Sequence, residues 1–523
     1  MLRPYQQESI NAINHEWSIG RNKTLLVLPT GTGKTVVFSE IAKQTSDRNE
    51  RTMVLAHRGE LLEQAQDKIK LFTGLDSALE KADSYALESN ELVTVASMQT
   101  LLNEKRLDQF PSDYFKTIIV DEAHHVLSDG YQRILNHFHN VNVLGCTATS
   151  DRGDRKNLGQ YFDSLAYEYT LPQAIKDGWL VKLKAMTIPL KIDINNVKVS
   201  QGDFQVSDIG HALEPYLEQI ADEMVSICKD KHTVVFLPLI ETSKKFCHLL
   251  NVRGLKAAEV NGQSPDRNKI LNDFANGKYQ VLCNSMLLTE GWDCPITDCI
   301  VILRPTKVRS LMAQMVGRGT RLHEGKEDCL ILDFLWQTQR HDLCRPAVLI
   351  AKEDAVSKKI TEKLENGEEQ DLIELEEISI RDVLQERENK LAEELRKQRN
   401  KKRGLVDPLQ YAYSIMDEDL TSYEPTFGFE TKPVTEKQLK VLENFGINAD
   451  AVKTLGHASM LIDKVMLRNK QGLSTAKQIR KLESYGFQHV GNWSKEQASK
   501  MMARIAANHW MLPHGINPYD YRP

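Results

Sequence analysis

Apolar residues in the first 150 positions come in short unbroken runs: Thr24-Leu-Leu-Val-Leu28, Thr52-Met-Val-Leu-Ala56, Leu92-Val-Thr-Val-Ala96, Thr117-Ile-Ile-Val120 and Val141-Asn-Val-Leu-Gly145. Runs without alternation fit strands buried on both faces, and the amphipathic stretches between them fit crossover helices, so the pattern predicts a parallel α/β sheet. A second series repeats it with His232-Thr-Val-Val-Phe-Leu237, Lys256-Ala-Ala-Glu-Val260, Gln280-Val-Leu-Cys283, Cys299-Ile-Val-Ile-Leu303 and Cys329-Leu-Ile-Leu-Asp333. Two α/β domains in series are expected, over residues 1–175 and 181–350.

Past residue 350 the pattern changes. From Ala351 to about Gly404 the chain is rich in Glu, Lys, Arg and Leu and has no proline. That composition predicts a solvated helix with one apolar edge, and a charged helical linker is expected over residues 351–430. Its basic end, Arg396 to Arg403, reads first as a solvated face and second as a phosphate contact. Residues 431–523 hold a repeat: Thr435-Glu-Lys-Gln-Leu-Lys-Val-Leu-Glu-Asn-Phe-Gly446 returns as Thr475-Ala-Lys-Gln-Ile-Arg-Lys-Leu-Glu-Ser-Tyr-Gly486, and the Ala458-Ser459 pair returns as Ala498-Ser499. Two small helical units are predicted, each with a threonine N-cap and a first helix closed at glycine. The aromatic residues Phe445, Tyr485 and Trp510 are expected in the small core of these units rather than on a base-stacking surface.

The chain of 523 residues exceeds a single domain of ~100–200 residues. Its 67 basic and 72 acidic side chains give a net charge of −5, so bulk charge does not hold a polyanion and any nucleic-acid track must be local. None of the eight cysteines forms a C-x-x-C pair, and they are expected to be reduced core residues. With no charged-then-apolar leader and no run of ~18 apolar residues, a soluble cytoplasmic protein is expected.

Three segments carry chemistry. Leu28-Pro-Thr-Gly-Thr-Gly-Lys-Thr35 follows a predicted strand and opens a predicted helix. In that setting the backbone of Thr30, Gly31, Thr32 and Gly33 can cradle phosphates, Lys34 can reach the β- and γ-phosphates, and Thr35 can ligate Mg²⁺. Leu28 stands where the general pattern has its first glycine. Ile118-Ile-Val-Asp-Glu-Ala-His-His125 brings two carboxylates to the end of another buried strand. Asp121 is the candidate metal ligand, and Glu122 is the candidate residue that orients or deprotonates water. In the second domain, Gln314-Met-Val-Gly-Arg-Gly-Thr-Arg321 supplies Arg318 and Arg321, expected on one helical face and able to clamp a γ-phosphate held by the first domain. The histidines His124, His125, His137 and His139 read as surface or cleft groups, and no metal beyond Mg²⁺ is expected.

In that order these segments resemble the superfamily 2 helicases and translocases of the D-E-A-H class, over about residues 1–335. Arg3-Pro-Tyr-Gln6 resembles the Q motif, which implies Gln6 on adenine. Ala56-His-Arg-Gly-Glu-Leu-Leu-Glu-Gln64 and Ser97-Met-Gln-Thr100 resemble strand-contacting motifs, which implies Arg58, Ser97, Gln99 and Thr100 on nucleic acid. Thr147-Ala-Thr149 is similar to the motif coupling nucleotide state to domain closure. Leu288-Thr-Glu-Gly-Trp-Asp293 resembles the motif that implies Thr289 near a nucleic-acid phosphate and Gly291 and Asp293 near the nucleotide. Gln314 falls in the arginine motif.

The resemblance implies two tandem RecA-like domains followed by the helical strut and the all-α repeats, ATP and Mg²⁺ as cofactors, and DNA in preference to RNA as the polymer. Its wording is most similar to the group of restriction-enzyme helicase subunits, XPB-like helicases and RadD. The chain lacks the cysteine zinc cluster of RadD-like proteins, the cysteines that iron–sulfur helicases carry, and any nuclease signature. The alternative is an ATP-dependent switch or scaffold that recruits a protein partner through residues 431–523.

Overall fold

The apolar runs form strands where the pattern predicts them. The computed structural model describes residues 2–523 except 57–58, 149–157, 201, 286–287, 289–291, 338–342, 352, 399–405, 422, 424 and 426–429. The first sheet contains β1 (Lys23–Val27), β2 (Thr52–Ala56), β3 (Ser77–Glu80), β4 (Val93–Ser97), β5 (Thr117–Asp121), β6 (Asn142–Thr147) and β7 (Ser164–Glu168). All are parallel, in the order β3-β4-β2-β5-β6-β1-β7. The central strands bury every residue or all but a terminal one, which is why they read as unbroken apolar runs.

The second sheet is built from β8 (Lys182–Asp193), then, past a small hairpin of β9 (Val199–Ser200) and β10 (Asp203–Phe204), from β11 (Thr233–Phe236), β12 (Ala257–Val260), β13 (Val281–Asn284), β14 (Cys299–Ile302), β15 (Asp328–Gln337) and β16 (Gln370–Asp371). Its order is β12-β13-β11-β14-β15-β8-β16, parallel except for β16. The two sheets are thus RecA-like parallel-sheet domains.

The strands that the hydrophobic pattern does not announce lie at or next to sheet edges. β3 alternates buried and half-buried positions over four residues and ends in a buried carboxylate, Glu80. The Arg106 guanidinium, whose Nε lies 2.7 Å from Glu80 Oε1, answers that charge. β8 alternates along most of its length, as a strand with only a two-residue neighbour on its outer side does.

Residues 1–154 with 164–379 form one compact unit, and 380–523 with 155–163 form another. In the first unit, the helix Asp354–Leu364 buries Val356, Ile360 and Leu364, and β16 then joins the edge of the second sheet. In the second unit, Val406, Tyr411, Ala412, Ile415 and Leu420 share one apolar core with Leu442, Leu461, Ile479, Leu482 and Ile505. The helical linker expected over residues 351–430 is therefore narrower than its composition suggests. Its clearest part is the 27-residue helix Leu372–Gln398. The side chains of Arg396 to Arg403 lie outside the described residues.

The forty-residue repeat returns in the hydrogen bonds of the fold. Thr435 caps Gln438 N–H and Thr475 caps Gln478 N–H, each in a reciprocal capping box. Gln438 then donates to Ser459 Oγ at 2.9 Å, and Gln478 donates to Ser499 Oγ at 2.8 Å. Leu455 N–H binds Lys432 O as Lys495 N–H binds Gly472 O, both at 2.8 Å. The first helix of each unit ends just before a glycine at positive φ, Gly446 (87°) and Gly486 (96°). Among the described residues no helix is long and apolar enough to cross a membrane. The eight cysteines are free thiols, seven of them buried.

Candidate active site

The parallel register decides which loops meet. Val27 at the end of β1 pairs with Thr147 on β6, and Cys146 on β6 pairs with Asp121 on β5. The P-loop, the D-E-A-H segment and the Thr147 segment therefore emerge side by side at the carboxyl edge of one sheet, where α/β folds place ligands. Leu28 N–H closes the seam by donating to Thr147 O at 3.1 Å.

The loop is held from beneath by α1 (Pro4–Ser18) and leads into α2 (Lys34–Ser46). Tyr5 Oη and Gln6 Nε2 both donate to Thr32 O, at 2.6 and 3.0 Å, and Thr32 Oγ1 donates to Pro29 O at 2.7 Å. Gly31 and Gly33 have φ of 89° and 88°, and a Cβ at Gly33 would meet Gln6 Nε2 at 2.6 Å, so a side chain there is excluded twice over. Gln6 is 4% exposed, accepts Arg3 N–H and does not line the cleft. The structure places it as a brace of the loop. Thr32 likewise faces inward, with no exposure.

A cleft of about 270 Å³ is lined by Thr30, Gly31, Gly33, Lys34, Thr35, Asp121 and Glu122 from the first sheet and by Asp293, Arg318 and Arg321 from the second. The two sides touch through glycines. A Cβ on Gly317 would meet Thr30 Cβ at 2.5 Å, and one on Gly31 would meet Arg321 Cγ at 3.4 Å. Arg318 and Arg321 were expected on a helical face. The helix Arg309–Val316 instead ends before them, and both arginines sit in the turn that follows. Gly317 and Gly319 break the helix there and let that turn approach the P-loop. Gln314 is buried on the helix and is not among the residues lining the cleft.

Electrostatics sort the cleft's groups. Burial and the neighbouring Glu122 carboxylate push the Asp121 pKa up to about 6, against the opposing pull of Lys34. Asp121 Oδ1 accepts the Glu122 N–H at 3.0 Å. Glu122 itself has left-handed backbone angles, φ 53° and ψ 57°, and faces His124 Nδ1 at 3.4 Å. Lys34 Nζ rests 3.5 Å from Leu28 O. Arg318 donates to Trp292 O, and Arg321 pairs with Asp293. Burial lowers the Arg321 pKa to about 10, far enough above neutrality that it stays charged. The hydroxyl of Thr35 and the carboxylate of Asp121 are hard oxygen donors that suit Mg²⁺.

The structure adds residues that motif reading does not single out. α3 (Gly59–Thr73) presents Gln64, Lys68 and Phe72 to the cleft at spacings of four residues. The Lys68 pKa is lowered by burial and then by Arg321, with Asp121 pulling the other way. Its only signal in the sequence is the i, i+4 spacing from Gln64. Ser97 is buried at the end of β4, Gln99 is exposed beside it, and Thr100 Oγ1 accepts the Ala82 N–H at 3.2 Å. None of these three lines the cleft. Arg58, Thr149, Thr289 and Gly291 lie outside the described residues.

Comparison with known proteins agrees with this arrangement. The model of the type III restriction enzyme res subunit matches residues 1–152, and that of the helicase conserved C-terminal domain matches residues 216–323. The chain is 31% identical over 382 residues to the Saccharomyces cerevisiae protein named "Putative ATP-dependent helicase IRC3", covering 68% of this chain and 54% of that one. It thus spans little more than half the length of the yeast relatives it matches. The solved structure titled "The fragment structure of a putative HsdR subunit of a type I restriction enzyme from Vibrio vulnificus YJ016" superposes with a TM-score of 0.51 at 26% identity, over 64% of each chain. The type ISP restriction-modification enzyme LlaBIII bound to DNA shares the fold over 97% of this chain and 42% of its own, with a TM-score of 0.52 at 16% identity. Family models on both sheets, a helicase relative and a restriction-subunit neighbour thus agree with the order of the motifs, and the chain belongs to the superfamily 2 helicases, among the restriction-subunit-like proteins.

Proposed function

We propose that this chain hydrolyses ATP in the cleft between its two sheets and uses the cycle to move on nucleic acid, with DNA as the polymer. The observation that carries the reading is the joint lining of one cleft by Lys34, Thr35, Asp121 and Glu122 from one sheet and by Arg318 and Arg321 from the other. Lys34 and the loop amides hold the phosphates. Glu122 orients a water toward the γ-phosphorus and takes its proton as the new P–O bond forms, the bond to the β–γ bridging oxygen breaks, and ADP and phosphate leave. Arg318 and Arg321 answer the charge that develops on the transferred group. Thr35 and Asp121 would hold Mg²⁺, which supplies charge neutralisation at the phosphates when bound.

A site that draws its groups from two sheets ties hydrolysis to their approach, which is what a translocating motor needs and a passive binding module does not. DNA is favoured because relatives are named as restriction-enzyme subunits and one neighbour is named as bound to DNA. The test is ATPase activity titrated with single-stranded DNA, duplex DNA and RNA. Stimulation by DNA is expected. Turnover indifferent to all three polymers would reject the motor.

A further inference from the structure

The tail differs in charge from the rest of the molecule. Residues 431–523 carry 14 lysines and arginines against 7 aspartates and glutamates, in a chain whose net charge is −5. One point on the tail combines that charge with exposed aromatic surface. Lys477 and Lys481 lie one turn apart on the helix Ala476–Glu483, and the stem of Lys477 packs over Gly446 of the preceding repeat. Lys481 Nζ sits 4.5 Å from the centre of the Trp510 ring and 5.2 Å from that of Tyr485. Among the described residues no ion pair engages Lys481.

Trp510 was expected in the core of its repeat. It is instead 54% exposed, followed by the exposed Met511 and Leu512. Its backbone is fixed in an uncommon way. His509 and Trp510 both adopt positive φ, 52° and 63°, which is disfavoured for residues with a Cβ, and bulky ones most of all. Trp510 N–H binds Ile505 O at 2.9 Å, and Trp510 O accepts from Tyr485 Oη at 2.9 Å. The fold therefore bears local strain to hold a large ring in water beside a lysine, and such strain concentrates at functional surfaces.

We propose that Lys481, Tyr485 and Trp510 form a contact for single-stranded nucleic acid separate from the motor, in which Trp510 stacks on an unpaired base and Lys477 and Lys481 neutralise the adjoining phosphates. A flat exposed ring with cations beside it suits a polymer that alternates π faces with negative charges. The two kinds of residue leave different signatures. Each lost phosphate contact makes the salt dependence of single-strand affinity shallower by ~0.7 in log–log slope, whereas losing a stacking ring weakens binding roughly 5- to 150-fold with little change of slope.

The experiment uses the full chain without nucleotide, a fluorescent oligo(dT) followed by anisotropy at two salt concentrations, and a 5-iodouracil-substituted oligo(dT) for photocrosslinking with the adduct mapped by mass spectrometry. Adducts on Trp510 or Tyr485 are expected. Trp510→Ala should weaken binding at an unchanged slope, Trp510→Phe should keep most of the affinity, and Lys481→Gln should flatten the slope. Circular dichroism of each variant reports whether the tail is folded, and Lys481→Gln, on a half-exposed position, decides the matter if Trp510→Ala is not. Adducts confined to residues 1–350, with Lys481→Gln and Trp510→Ala binding as the parent chain does, would overturn the proposal and leave the platform to a protein partner. The ATP cleft does not enter: a chain without ATPase activity would defeat the motor and leave these isotherms to decide the tail.

Discussion

At the scale of single residues, the cleft separates groups that hold from groups that respond. Arg321 is already ion-paired with Asp293 across the arginine turn, so a γ-phosphate must compete with a carboxylate for it. Arg321→Ala should cut turnover by ~10³-fold or more while ATP affinity changes much less, as measured by steady-state ATPase and by nucleotide titration. Equal losses in both would show that Arg321 only binds. Lys68 is the other kind of residue, a half-buried cation next to the phosphate loop and near Asp121. Lys68→Ala should raise KM for ATP several-fold with kcat less affected, and an unchanged KM would remove it from the site. Contiguous motifs made Lys34, Thr35, Asp121, Glu122, Arg318 and Arg321 legible as residues that would share one cleft, because the proposed chemistry needs particular residue types at fixed short spacings. Lys68 was not legible, since it reaches the cleft only through the packing of α3 beside α2. The burial of Gln314 depends on what lies under its helix, which no local pattern encodes.

Among the elements, two contacts have consequences that can be measured. The arginine turn meets the P-loop with no room for a methyl at Gly317. Gly317→Ala forces overpacking of the order of 1–3 kcal/mol at the seam between the sheets, and its effect should fall on turnover rather than on the fold of either domain. ATPase should drop at least tenfold while the circular dichroism spectrum is kept, and undiminished turnover would mean that the seam opens during the cycle. In the tail, Glu483 is buried at the foot of the second repeat and accepts a hydrogen bond from Ser414 Oγ at 2.9 Å. Burial raises its pKa from the ordinary 4.5 to about 8, so the folded tail keeps a proton that the unfolded chain releases. Stability is then fully present below pH ~4.5 and is lost as pH rises to about 8, by on the order of a few kcal/mol. Glu483→Gln should flatten that decline in thermal unfolding between pH 5.5 and 8.5, and a parent chain equally stable at both would contradict the burial. The central strands could be read from the sequence because burial on both faces writes a continuous apolar run. Edge strands such as β3 could not, because half their residues face outward and Glu80 needs Arg106 to be tolerated.

On the scale of the whole molecule, the cleft proposed to take ATP and the repeats belong to separate compact units, and the core shared with the repeats begins at Val406. A chain ending at Gly404 should therefore keep the basal ATPase of the full chain within about twofold, measured without nucleic acid. A silent truncated protein would make the tail part of the engine. The tandem organisation and the repeat were legible because both rest on periodicity. The point where linker becomes core was not, because Tyr411, Ile415 and Leu420 sit in a stretch whose average composition is polar. The duplication also bears on how such a tail can change over generations. Several bonds that tie the first copy together have twins forty residues on, from the threonine caps to the Gln438–Ser459 and Gln478–Ser499 pairs. A unit that carries its own caps and its own helix-to-helix bonds can be duplicated as a piece, because the bonds that hold its two helices together travel with it.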